Sequence, residues 1–215
     1  MSDVPFVLVN FKQLTGKAAT EVAVAFNELS LSIGRKYTIA VAVQPCDVGE
    51  VASNTDLPVF VHDIYSETPL YMLFNSGFFQ SDRIGGILIN HPQKRLGVKD
   101  MHRNFQCAKL KSISTIFAAL DVAEAGRLNA TYSPDYIAIE NERLIGKELS
   151  IRNECPEVVD TAVRDIPNRI LFGAGIRSAE DIQFVINNGA SGVLLSSSVL
   201  AHHNPPVALR NMLDV

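Results

Sequence analysis

Short apolar runs alternate with longer segments of helical period along the whole chain, and this alternation constrains the possible folds most strongly. The runs are rich in β-branched residues and almost continuously apolar, as expected of parallel strands buried on both faces. We predict eight strands, at residues 6–10, 37–43, 59–62, 85–89, 114–119, 136–139, 169–172 and 192–195. Because parallel strands need crossover connections, the pattern indicates an α/β fold.

The segments between the strands carry helix signals. Apolar residues recur at i, i+4 and i+7 within residues 22–29 and 101–108. Pro156 suits the first turn of a helix, and Ser178 with Asp181 has the spacing of an N-terminal cap. We predict one domain over residues 1–215, a closed parallel (β/α)8 barrel. An open doubly wound sheet with about the same element order is the alternative.

Composition excludes several classes of protein. A formal net charge of −4 gives no reason to expect nucleic acid binding, and no apolar run approaches the roughly 20 residues that cross a bilayer. The first nine residues lack the features of a secretion signal, so we expect a cytoplasmic protein.

The three cysteines are widely spaced, which predicts reduced thiols. The adjacent His202 and His203 have no further ligands nearby in sequence, and no metal site is predicted.

Polar residues follow several of the predicted strands. Asn10 and Lys12 close the first strand, His91 follows the fourth and Glu140 the sixth, while Gly-Ala-Gly (173–175) and Ser-Ser-Ser (196–198) follow the seventh and eighth. Any one of these is commonly structural: a lone histidine is usually a hydrogen-bonding residue, and Gly-Ala-Gly a tight turn. Together, at the carboxyl ends of barrel strands, they indicate a site for an anion and for proton transfer.

Several motifs extend this interpretation over nearly the whole chain. They are VNFK, INHPQKR, PDYIAIE followed by LIG, ECPEVVDTAV, GAGIRSAEDI and GASGVLLSSSV. In order and spacing they resemble the triosephosphate isomerase family, specifically its short archaeal form, whose members fold as TIM barrels.

The resemblance implies an activity and a role for each polar residue. The family interconverts dihydroxyacetone phosphate and glyceraldehyde 3-phosphate through an enediolate, in glycolysis and gluconeogenesis, without a metal or organic cofactor. By resemblance Glu140 is the base that moves the proton between two carbons, and His91 is the neutral electrophile that polarises the carbonyl. Lys12, positioned by Asn10, offsets the negative charge of the enediolate and the phosphate.

The resemblance also implies a phosphate site and an assembly. Backbone N–H groups of Gly146, of Ala174 and Gly175, and of Ser196 and Ser197 would hold the phosphate of a small triose phosphate substrate. Residues 141–150, called the lid below, would exclude water from the reacting enediolate. Family members associate, so a homodimer or homotetramer is expected.

The chain departs from the family pattern at functional places. After the histidine the family has Ser-Glu, whereas this chain has Pro92 and Gln93; Gln93 keeps a supporting shape and could still bond to Lys12, but it is not an acid or base. The lid lacks the family's prolines near Asn141, which predicts a looser hinge. Glu148 replaces a glycine close to the expected phosphate.

Two further departures bear on the neighbouring surface and on assembly. His62 stands where the family has glutamine, and residues 63–83 lack the run that reaches into a partner subunit, which puts the usual dimer interface in doubt. The aromatic residues of that segment, Tyr65, Tyr71, Phe74, Phe78 and Phe79, are as consistent with a different subunit contact as with a core role. Two hypotheses remain for function: a divergent active isomerase, or a homologous barrel with a shifted sugar-phosphate substrate or a weakly active or non-catalytic phosphate-binding role.

Overall fold

A computed structural model describes residues 4–62 and 84–215, and their strands form a closed barrel. Strand β1 pairs in parallel with β2 on one side and with β8 on the other, which closes the sheet. The strands are β1 Phe6–Asn10, β2 Thr38–Val43, β3 Val59–Val61, β4 Ile84–Ile89, β5 Ser114–Ala119, β6 Tyr136–Ile139, β7 Ile170–Phe172 and β8 Gly192–Leu195. The predicted barrel is confirmed, and the open doubly wound sheet is excluded.

Helices connect the strands on the outside of the barrel. In the described ranges they are α1 Gly16–Ile33, α2 Val48–Asn54, α3 Val98–Leu110, α4 Val122–Tyr132, α5 Ile151–Glu154, α6 Pro156–Asp165, α7 Ala179–Asn187, α8 Ser197–Leu200 and α9 Pro205–Leu213, with a 3-10 turn at Gly34–Lys36. Their ends follow the sequence signals. Pro156 begins α6, and the Ser178 hydroxyl accepts a hydrogen bond from the Asp181 N–H at the start of α7.

Alternate residues of the strands face two different hydrophobic layers. One cluster contains strand residues such as Leu8, Ala42, Ala138 and Leu194 and no helical residue, so it fills the barrel interior. The other combines the intervening strand residues with helical side chains and lies between the barrel and its helices. Because successive side chains of a strand point to opposite faces, every second residue faces inward.

This alternation also determines which polar side chains reach the mouth of the barrel. Counting two residues beyond an inward-facing residue leads to Asn10 on β1, Gln44 after β2, Glu140 after β6, Gly173 after β7 and Ser196 after β8. All lie at the carboxyl ends of parallel strands and therefore at the same end of the barrel. The fold thus positions a ring of polar groups above an apolar interior.

Several sequence predictions concern features away from this ring. Cys46, Cys107 and Cys155 are free thiols, the first exposed and the other two buried. His202 and His203 are exposed, and in residues 4–62 and 84–215 no cluster of three metal-binding side chains occurs. No helix in these two ranges has the length and hydropathy of a membrane span. The predictions on residues 63–83, including their aromatic side chains, lie outside the described residues.

Candidate active site

The first strand ends in a strained turn that presents Lys12. Lys12 has a φ of 50°, in the left-handed region that non-glycine residues rarely adopt. Two bonds hold it there: the Lys12 N–H donates to Asn10 Oδ1 at 3.0 Å, and the Gln44 side-chain amide donates to the Lys12 carbonyl at 2.6 Å. Asn10 is fully buried, and its Nδ2 atom has no partner within the described ranges. Strain of this kind, held by surrounding bonds, is typical of functional sites.

The loop after β4 is fixed from behind by a polar network. Asn90, with a φ of 65°, donates from Nδ2 to the Ala118 carbonyl at 3.2 Å and accepts at Oδ1 from the Leu96 N–H at 3.1 Å. Arg95 donates to the Asn90 carbonyl at 3.3 Å and pairs with the Glu124 carboxylate on α4. These contacts hold the backbone on both sides of His91.

His91 is almost completely buried, with 2% of its surface exposed. Its Nδ1 accepts a hydrogen bond from the Gln93 backbone N–H at 3.2 Å, so in the neutral ring the proton is on Nε2. The imidazole of His62 packs edge-to-face on it, with ring centroids 4.9 Å apart. Gln93 thus supports His91 through its main chain, while its exposed side chain lines an adjacent cleft together with Lys12.

Glu140 faces His91 across the mouth of the barrel. Glu140 is 7% exposed, and its Oε1 lies 3.0 Å from His91 Nε2. The two atoms are not aligned as a hydrogen bond, so among the described residues each is buried without a hydrogen-bond partner. Gly173 makes room for this carboxylate, since a Cβ at that position would lie 2.6 Å from Glu140 Cγ. A buried donor and a buried acceptor therefore face each other, and no other side chain of the described ranges bonds to either atom.

A cavity of about 390 Å³ opens from Glu140 toward the lid and the loops after β7 and β8. Most of the predicted substrate-binding residues line it: Lys12, Gly146, Ala174, Gly175, Ser196 and Ser197. Asn10 adjoins it, because the Ser196 hydroxyl donates to the Asn10 carbonyl at 2.8 Å. Gly146 and Gly175 have φ values of 70° and 84°, and a Cβ at Gly175 would collide with the lid residue Leu144.

The lid begins at a hinge that contains compensating hydrogen bonds. Asn141 Oδ1 accepts from the Arg143 N–H at 3.0 Å, and the Asn141 carbonyl accepts from the Leu144 and Ile145 N–H groups. Its Nδ2 donates to the buried Cys155 thiol at 3.5 Å. Asparagine therefore supplies by side-chain bonding some of the local order that the missing prolines would supply by restricting φ.

Comparison with known proteins identifies the family to which the chain belongs. The family model described as triosephosphate isomerase matches residues 104–212. The triosephosphate isomerase of Methanobrevibacter smithii is 30% identical over 98% of both chains, and that of Methanosarcina barkeri is 32% identical over 97% of both. The protein is a member of the triosephosphate isomerase family. The predicted family is confirmed.

Solved structures extend the likeness only at the level of fold. A mutant tryptophan synthase α-subunit from Pyrococcus furiosus superposes with a TM-score of 0.69 over 100% of this chain and 99% of its own, at 14% identity. A thiamine phosphate pyrophosphorylase from the same organism gives a TM-score of 0.61 over 99% and 95%, at 11% identity. Both likenesses fit the closed barrel of this triosephosphate isomerase family member.

The structure adds two site residues, Gln44 and Arg177, and two roles that sequence reasoning missed. Gln44 fixes the Lys12 turn, Gly173 accommodates Glu140, and Lys147 and Arg177 line the cavity. Inward alternation from β2 could have identified Gln44. Arg177 has no such signal, because its role depends on the path of the lid.

Proposed function

We propose that this protein is a triosephosphate isomerase, which interconverts dihydroxyacetone phosphate and D-glyceraldehyde 3-phosphate in glycolysis and gluconeogenesis. The observation that carries the proposal is the buried pair of Glu140 Oε1 and His91 Nε2, 3.0 Å apart at the mouth of the barrel. Enolisation needs a base at a carbon and a donor at the neighbouring oxygen, and this pair supplies both.

In this mechanism Glu140 removes a proton from the carbon next to the carbonyl and returns it to the neighbouring carbon. The neutral His91 donates the Nε2 proton to the carbonyl oxygen and takes up the proton of the neighbouring hydroxyl, so that one proton also moves between the two oxygens; this role fits the bond from the Gln93 N–H to Nδ1. The Lys12 ammonium and the Asn10 Nδ2 donor face the negative charge that develops on the enediolate. No cofactor is needed, because every step is a proton transfer.

The phosphate would occupy the cavity beyond Glu140. Backbone N–H groups of Gly146, Ala174, Gly175, Ser196 and Ser197 are the proposed donors, and all five residues line that cavity. Glu148 does not leave an uncompensated charge there, since its carboxylate pairs with Arg177 at 3.5 Å and its side chain is 92% exposed. The protein is expected to act in the cytoplasm as a homodimer or homotetramer.

A coupled isomerase assay on purified protein tests the proposal. Wild type should convert glyceraldehyde 3-phosphate well above the buffer rate, and Glu140→Gln should lose at least about a thousandfold in kcat while keeping affinity for 2-phosphoglycolate. Turnover of phosphorylated pentoses without turnover of trioses would instead indicate a shifted substrate. Tight phosphoglycolate binding with no turnover of either would indicate a non-catalytic barrel.

A further inference from the structure

We infer that Arg177, in the loop after β7, is a positioning residue that holds the lid over the substrate cavity; the contacts of its guanidinium with Lys147 and Glu148 are called the latch below. Its guanidinium contacts two consecutive lid residues: Nη1 donates to the Lys147 carbonyl at 3.3 Å, and Nη2 lies 3.5 Å from Glu148 Oε1. The carboxylate of this ion pair departs from the family pattern, since Glu148 stands where the family has glycine. The inference rests on the proposed function for its kinetic part and on the contacts alone for its structural part.

The backbone that carries the Arg177 side chain is held by a buried carboxylate. The Arg177 N–H donates to Asp181 Oδ2 at 3.0 Å, and Asp181 is 1% exposed at the start of α7. The Asp181 carboxylate also accepts from the Ser150 hydroxyl at the end of the lid and lies 3.9 Å from Arg152 Nε. A buried carboxylate bonded to both loops fixes the backbone from which the Arg177 side chain extends.

The lid is also held at points on either side of the latch. Leu144 is 2% exposed and packs at Gly175, where a Cβ would lie 2.6 Å from Leu144 Cδ1. The Ile151 N–H donates to the Gly175 carbonyl at 3.0 Å. Between these two attachments, and within the described part of the chain, the lid backbone at residues 146–148 bonds to the rest of the barrel through the Arg177 side chain. Loss of that side chain should therefore free this stretch specifically, while the flanking contacts remain.

The expected energetic effect is modest. The Arg177 side chain is 42% exposed and that of Glu148 is 92% exposed, so solvent screens the ion pair and the charge-assisted bond to the carbonyl carries most of the effect. We expect roughly a three- to tenfold shift in the lid's opening equilibrium on removal of Arg177. An enediolate that is more often exposed to water loses its phosphate more often.

Hydrogen exchange and product analysis on the intact protein test the latch. Arg177→Ala should speed exchange of the Ile145 and Lys147 amides, which donate hydrogen bonds within the lid, roughly three- to tenfold without ligand, and should raise the inorganic phosphate released per isomerisation. Glu148→Gln, which keeps the carbonyl bond, should give a smaller change. Arg103→Ala is a matched control, because that arginine is also 42% exposed and pairs with Asp100 on distant α3; it should change neither readout.

Three outcomes separate the possibilities. Unchanged lid exchange in Arg177→Ala overturns the latch. A raised KM and weaker binding of inorganic phosphate with unchanged lid exchange would also overturn it, and would make Arg177 a direct phosphate ligand. If wild type has no isomerase activity, the proposed function fails, but the exchange experiment still decides whether Arg177 holds the lid.

Discussion

Gly173→Ala should misplace the carboxylate of Glu140, the proposed base, without unfolding the barrel. The new Cβ would lie 2.6 Å from Glu140 Cγ and 3.2 Å from its Cδ. Non-bonded carbon atoms prefer about 3.5–4.0 Å, so the carboxylate must move by about 1 Å. A displacement of about 1 Å at a reacting group is associated with losses of about a hundredfold, so we expect kcat for glyceraldehyde 3-phosphate to fall by about that factor in the coupled assay.

Gly126→Ala is the matched control for this substitution. A Cβ at Gly126, within α4, would meet no atom within 4 Å, so activity should be unchanged and the free energy of unfolding should rise by about 0.5–1 kcal/mol. Thermal unfolding of both variants checks that they are folded. If folded Gly173→Ala kept the wild-type kcat, the argument that this glycine sets the position of Glu140 would be refuted.

Three further substitutions test the scaffold and the support of the site. Gly192→Ala places a Cβ 1.8 Å from a backbone oxygen of β1, so thermal or urea unfolding should show that the free energy of unfolding falls by about 4 kcal/mol or more. An unchanged unfolding midpoint would contradict the close pairing of β1 with β8. Glu124→Ala removes the carboxylate that binds Arg95 behind the histidine loop, and should lower kcat about tenfold with little change in KM; an equal change in both would argue against a positioning role. Burial alone raises the pKa of Asp135, but hydrogen bonds from the Thr115 backbone and hydroxyl, together with the nearby Lys109 ammonium, outweigh it and leave the pKa below its ordinary 3.8. A carboxylate whose pKa is lower in the folded than in the unfolded protein stabilises the fold above about pH 4, and this contribution is lost as the pH falls through the folded-state pKa. Asp135→Asn should therefore lower the free energy of unfolding in urea fully at about pH 7 and by less at about pH 3. A loss of stability that does not depend on pH would refute this role of Asp135.

The barrel was predictable because its strands are buried on both faces. Four strands begin and end as predicted: Phe6–Asn10, Ser114–Ala119, Tyr136–Ile139 and Gly192–Leu195. The other four differ from their predicted limits by one residue at one end. Closure was less certain from pattern alone, because the pairing of β1 with β8 joins residues that are about as far apart in sequence as the chain allows.

The candidate site was predictable where it depends on strand ends, and less so where it depends on loops. Asn10, Lys12, His91 and Glu140 lie at or just after the carboxyl ends of parallel strands, which places them at one end of the barrel. The latch at Arg177 and the hydrogen bonds of Asn141 depend on the path of the lid, and the periodicity of apolar residues does not predict the path of a loop. Gln93 was expected to support the site through its side chain, whereas the structure shows the support coming from its backbone N–H.

The most direct test of the central claim is proton exchange at carbon. Dihydroxyacetone phosphate incubated with the protein in D₂O should gain deuterium at its hydroxymethyl carbon, because the proposed base exchanges its proton with solvent while the enediolate is bound. The incorporation is followed by ¹H NMR. The account predicts rapid incorporation with wild type and at least about a thousandfold slower incorporation with Glu140→Gln, at unchanged fold. Equal incorporation by the two proteins would contradict Glu140 as the base.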